Sequence, residues 1–76
     1  MVTVEPGALI RVRDVKGELL PRIALSGVEV DGHEFAIVWA CTEREWEAAT
    51  AENREPEGIP WPAEDVMTAT GPAKWS

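Results

Sequence analysis

His33 is the one side chain of this 76-residue sequence whose ordinary pKa suits proton transfer near neutrality. Ser26 precedes it across an expected hairpin, and Asp31 and Glu34 are its close neighbours. A hydrolytic triad would need these groups held around a nucleophile elbow and an oxyanion hole. Neither device is written in the sequence, and a polar residue directly after a turn is ordinarily solvated, so catalysis is not expected. Glu29, Asp31, His33 and Glu34 could also gather at one hairpin end. A cation would relieve the repulsion between Glu29 and Glu34 as a directly opposed pair. Water and salt do the same, so no metal site is expected. Cys41 is the single cysteine, which rules out an intramolecular disulfide or a cysteine zinc cluster. It ends an apolar strand and precedes a helix rich in early glutamates, which favours a buried thiol over a reactive one. With no glycine-rich phosphate loop either, the sequence reads as a non-enzyme with no cofactor.

The tryptophans carry more information. There are four: Trp39, Trp46, Trp61 and Trp75. Trp39 is expected in the core, and Trp46 is expected to pack a helix onto the sheet. Trp61 stands between Pro60 and Pro62, where the backbone has little freedom, and rigid aromatics are frequent interface anchors. Glu57, Glu64 and Asp65 would rim it, with Glu43 and Glu47 on a neighbouring helix. These eight residues, Trp61, Pro60, Pro62, Glu57, Glu64, Asp65, Glu43 and Glu47, form the candidate partner-binding set. The competing expectation is that Trp61 closes one open end of a barrel.

Charge points to the kind of partner. The formal net charge is −7. Residues 42–65 hold eight acidic and two basic groups, so most of the surplus sits there. Affinity for a phosphate backbone or an anionic bilayer comes mainly from Lys and Arg, which disfavours direct nucleic-acid or membrane binding. A basic protein surface is the expected partner. The alternatives are an acidic nucleic-acid mimic that inhibits a DNA- or RNA-binding protein, and an assembly component of a phage whose exposed edge strand, Ala8 to Val15, pairs with a second copy. The N-terminus lacks the basic and apolar regions of a signal peptide. The longest apolar run, Phe35 to Cys41, is too short to span a bilayer. A cytoplasmic setting is therefore expected.

The elements that must position these groups are mostly strands. One domain over 1–76 is expected, with residues 1–7 a flexible lead-in and 71–76 a flexible tail. Ile10 and Val12 alternate with Arg11 and Arg13, the pattern of a half-buried strand. Lys16-Gly17 is a turn signal, and Asp31-Gly32 reads as a two-residue hairpin loop. Between them, Leu19, Ile23 and Leu25 occupy odd positions while Val28 and Val30 occupy even ones. One extra residue at Ser26-Gly27, a bulge, would restore a common face. That register sets Ile10 against Ile23, Val12 against Pro21, Ile23 against Trp39 and Leu25 against Ile37. Phe35, Ile37, Trp39 and Cys41 would then form the buried face of the third strand. Thr42-Glu43-Arg44-Glu45 is a capping box, flanked by Cys41 and Trp46 at the staple positions. A helix from about 43 to 54 follows, with Trp46, Ala49 and Asn53 on its inner face and Pro56 stopping it. Pro62 could open a single helical turn through Asp65, and 66–70 has room for a closing strand. Arg11, Arg13 and a nearby Arg22 form a small basic patch that could bind an acidic group, but internal pairing with Asp14 and Glu18 is the favoured expectation.

Gly58-Ile59-Pro60 followed by Asp65-Val66 resembles the end of SH3 domains, where a glycine, an apolar residue and a proline precede a short 3-10 turn and a last strand opened by valine. The likeness spans about nine residues, with Trp61-Pro62 inserted. It implies a small SH3-like barrel. The chain has no tyrosine and carries an inserted helix, so the aromatic groove by which that family binds proline-rich peptides is not implied. The whole sequence is also similar to short proteins of bacteria with GC-rich genomes and their phages, a likeness that implies no function. The expected fold is mainly β: a small SH3-like barrel or bent antiparallel sheet of about four strands with one inserted helix.

Overall fold

The computed structural model describes residues 4–30, 35–68 and 71–72. The strands are β1 (Leu9–Arg13), β2 (Leu19–Ala24), β3 (Glu29–Val30), β4 (Ala36–Cys41), β5 (Ile59–Pro62), β6 (Val66–Thr68) and β7 (Gly71–Pro72). Helix α1 (Glu43–Glu52) joins β4 to β5, and a 3-10 turn (Ala63–Asp65) joins β5 to β6. All pairings are antiparallel. β2 and β3 share one side of β4, β5 takes the other side, and β1 runs between β2 and β6. The fold is thus mainly β with one helix.

Chain length forces this sheet to curl. From β5 to β6 there are four strand spacings, roughly 19 Å across a flat sheet. Pro62 and Val66 are separated by four Cα steps, at most about 14 Å of chain. Only a curled sheet brings its two flanks within that reach, and the result is a half-barrel.

The concave face holds Ile10, Val12, Ala24, Val38, Ala40 and Val66, all buried, together with Val4. Leu20, Val28 and Trp61 pack against them. Even-numbered positions therefore point inward both before and after Ser26-Gly27, so the expected change of phase does not occur. Residues 25–28 bow out opposite Val38 and Trp39, two residues more than the partner strand rather than one. The bow is stitched by Ser26, whose hydroxyl accepts from the Trp39 N–H at 3.1 Å and donates to the Gly27 carbonyl at 2.8 Å. The Leu25 N–H reaches the Trp39 carbonyl at 2.7 Å. A Cβ on Gly27 would lie 2.9 Å from the Val4 carbonyl oxygen, so this glycine serves close backbone approach.

The first turn explains the misread face. β1 pairs Leu9 with Ile23, Ile10 with Arg22 and Val12 with Leu20, one residue off the expected register. Asp14 and Glu18 close the loop, with the Asp14 N–H donating to the Glu18 carbonyl and the Gly17 N–H to the Asp14 carbonyl. Gly17 has φ +82°. This is a type I turn followed by a glycine bulge, which is one residue longer than Lys16-Gly17 alone implies. The Asp14 Oδ1 fixes it by accepting from the Lys16 and Glu18 N–H groups, both at 2.9 Å. A one-residue slip exchanges the two faces of the strand. Correspondingly, Ile23 meets Cys41 rather than Trp39. Trp39, expected in the core, is 38% exposed, and Phe35 is 66% exposed.

Three further expectations change. β1 has a partner on each side, so it is not an edge strand. α1 ends at Glu52 because Asn53 adopts the left-handed conformation (φ 54°, ψ 46°), with its N–H and that of Arg54 closing on the Ala49 carbonyl. Asn53 is consequently an exposed cap and not part of an inner face. Val4, within the expected lead-in, is buried in the core. The Asp31-Gly32 loop, His33, Glu34 and Trp75 lie outside the described residues.

Candidate interaction surface

β5 runs along the outer flank of β4 and sets Pro60 beside Trp39 and Pro62 beside Ile37. Directly opposed residues share a face, so these four lie together on the convex side. Pro60 and Pro62 are exposed and Ile37 is half-buried. Proline cannot donate to a ladder, so Pro60 and Pro62 suit the positions whose N–H would point away from β4. Gly58 admits β5 to this place: a Cβ there would collide with the Ala40 carbonyl oxygen and lie 2.6 Å from Leu25 Cδ1.

Trp61 has the opposite orientation. It pairs with Val38, packs against the concave core and is half-buried, with its indole Nε1 buried and without a hydrogen-bond partner. The exposed tryptophan of this region is Trp39, which the sequence reading assigned to the core. The signal that could have found it is the run of small even-numbered residues, Ala36, Val38 and Ala40, which suit the inside of a tight curl.

The acidic groups are held by the helix and the chain after it. The Thr42 Oγ1 accepts from the Glu45 N–H at 3.0 Å, as a capping residue should. The reciprocal half of the box is absent because the Glu45 carboxylate is used elsewhere. It accepts from Arg54 Nη1 at 2.6 Å, from Arg54 Nη2 at 3.2 Å and from the Glu57 N–H at 2.8 Å. The Arg54 guanidinium, followed by the Glu57 amide, holds the Glu45 carboxyl down at about 2. The same pairing, with Glu52 added, raises the Arg54 pKa. The helix start is thereby tied to the segment entering β5. Glu43, Glu47, Glu57 and Glu64 are exposed and Asp65 is half-buried. None of them pairs with a base among the described residues, whose ion pairs join Arg54 to Glu45 and Glu52. Trp46 lies over Gly7, with its Cη2 3.8 Å from where a Cβ would stand.

The expected pairing of Arg11, Arg13 and Arg22 with Asp14 and Glu18 is not observed. Asp14 is committed to turn amides, and Arg22 donates to the Pro21 carbonyl at 2.6 Å. The register also puts Arg22 on the face of Ile10, opposite to that of Arg11 and Arg13. Cys41 is buried, and burial followed by the nearby Glu45 charge raises its thiol pKa. No group of three or more His, Cys, Asp or Glu residues among the described residues could hold a metal. No helix among them is long and apolar enough to cross a membrane. No protein-family model, curated protein or solved structure matches this chain.

Proposed function

We propose that this protein is a non-enzymatic interaction module that binds a basic protein surface through the convex side of β4–β5 and the carboxylates around it. The observation that carries this reading is the exposed Trp39–Pro60 pair on the convex face, in a chain whose exposed Glu57 and Glu64 pair with no base among the described residues. An aromatic anchor within a polar, solvent-accessible rim is the usual anatomy of an interface. Trp61 supports the surface from beneath by fixing β5 to the core, while Pro60 and Pro62 limit its freedom. Glu43 and Glu47 add negative potential that would steer a basic partner. The half-barrel with a single 3-10 turn before β6 fits the SH3-like architecture that Gly58-Ile59-Pro60 and Asp65-Val66 suggest, in a cytoplasmic protein of bacterial or phage type.

The test is affinity capture from the source cells with wild type, Trp39→Ser and the Glu57→Gln/Glu64→Gln pair, each first shown to be folded. A basic protein retained by wild type and lost by both variants supports the module; a Trp hot spot is worth about 2 kcal/mol or more, roughly a 30-fold loss. Capture insensitive to both variants rejects it. A partner displaced by nucleic acid and released steeply by salt, yet indifferent to Trp39→Ser, identifies the acidic-mimic reading instead.

A further inference from the structure

A second surface, of opposite charge, lies on the convex face of β1. Leu9, Arg11 and Arg13 point away from the buried Ile10 and Val12. The register puts Ile23 beside Leu9, Pro21 and Met67 on the two sides of Arg11, and Leu19 beside Arg13. Leu9 is 60% exposed and Leu19 40%. Leu9, Ile10, Arg11, Leu19, Met67 and Thr68 line an open groove of about 350 Å³, and Arg13 follows Arg11 on the same face of β1 without lining it. This chain has 14 acidic and 7 basic groups, so two adjacent arginines with no carboxylate partner among the described residues are unexpected. Asp14 is the nearest carboxylate in the chain, and it is committed to the turn.

Alternate side chains of a strand stand roughly 6.6 Å apart on one face, and the same spacing holds for any extended peptide. A peptide laid along β1 with carboxylates at alternate positions can engage Arg11 and Arg13 together. An apolar residue two positions further on would then reach Leu9. We propose that the convex strip of β1, from the groove at Leu9 and Arg11 on to Arg13, binds an extended acidic segment of a partner protein, in which an apolar residue and two carboxylates occupy alternate positions. Arginine suits the role because its planar fork meets a carboxylate in two parallel hydrogen bonds. An anionic bilayer presents no carboxylates at the fixed alternate spacing of an extended strand, so the match to Arg11 and Arg13 favours a peptide. Both flanks of β1 are already paired, so the peptide adds no strand. Its affinity rests on side chains and falls as salt rises. This proposal does not depend on the acidic surface described above.

Fluorescence anisotropy on the full chain tests it, with a short labelled peptide that alternates serine with one leucine and two glutamates. The control replaces both glutamates by glutamine. Binding of the glutamate peptide, with at least tenfold weaker binding of the control and of the Arg11→Gln/Arg13→Gln protein, supports the site. Arg44→Gln, which removes one charge elsewhere, should leave it unchanged. Arg11→Lys/Arg13→Lys keeps the charge and guards against misfolding; it should bind measurably but less tightly, and thermal melts should match wild type for all variants. Equal binding of the two peptides, no binding, or indifference to Arg11→Gln/Arg13→Gln overturns it. So does preferential binding to phosphatidylserine vesicles that is lost with those arginines, which would assign the strip to a membrane.

Discussion

The two faces of the curled sheet are built from side chains of different size. The concave face carries Ile10, Val12, Ala24, Val38, Ala40 and Val66. The convex face carries Leu9, Leu19, Ile37, Trp39, Pro60 and Pro62 together with Arg11 and Arg13. Size and burial therefore run against each other, and curvature is the reason. On the inside of a tight curl, facing side chains converge, so the fully buried positions hold small or β-branched groups, with Leu20, Val28 and Trp61 packed against them. On the outside they diverge, so large groups fit without crowding but remain partly in water. The same geometry that makes the core small leaves apolar area and unpaired charge outside, which is where the two proposed binding surfaces lie.

The strongest way to break this contrast is to truncate one member of each neighbouring pair. Ile10→Ala removes a residue that is 2% exposed, and such core truncations cost about 2–5 kcal/mol. A chain this small holds only about 3–5 kcal/mol, so urea melts should find Ile10→Ala largely unfolded. Leu9→Ala, one position away on the other face, should shift stability by only about 0.5 kcal/mol. Similar losses in both would contradict the assignment of the faces.

A smaller effect is expected where the two faces meet the edge. Gly58→Ala drives a methyl into the Ala40 carbonyl and should cost about 1–3 kcal/mol, because backbone on both sides must yield. Thermal unfolding would measure it, and an unchanged melting temperature would mean that β5 is not seated as described.

The smallest expected effect concerns the tie between helix and β5. The Glu45 carboxyl sits at about 2 in the folded chain, below the roughly 4.3 of an unfolded glutamate. Its contribution is present above pH ~4.3 and is lost as pH falls toward about 2. Glu45→Gln should therefore lower stability by a small, constant amount above pH ~4.3, flatten part of the acid limb, and converge with wild type as pH falls toward about 2. Acid titrations of wild type and variant, followed by circular dichroism, would sharpen the comparison, since neither sheet face contributes to this term.

Much of the local structure was legible. Thr42 caps its helix, Gly17 stands in the first turn where a positive φ needs glycine, and the 3-10 turn falls at Ala63–Asp65 as Pro62 suggested. Each of these depends on neighbours within a few residues. The site was less legible because it depends on which way a strand faces. Trp39 is exposed and Trp61 packs against the core, the reverse of the faces expected, through the glycine bulge after Asp14 and the two-residue bow at 25–28. Neither insertion has a fixed length in the sequence, and one residue is enough to invert a face.

From sequence alone came the strands around the first turn, the capped helix, the 3-10 turn, the acidic balance and the lack of a cysteine cluster, all consequences of composition, periodicity and local hydrogen bonding, whereas the strands β5 (Ile59–Pro62) and β7 (Gly71–Pro72) read there as a rigid stretch and a flexible tail. Tertiary structure alone decided which face of each strand became the interior. Only the curl of the sheet, forced by the short link from Pro62 to Val66, turned Val38, Ala40 and Trp61 toward the inside and left Trp39 and the β1 arginines outside.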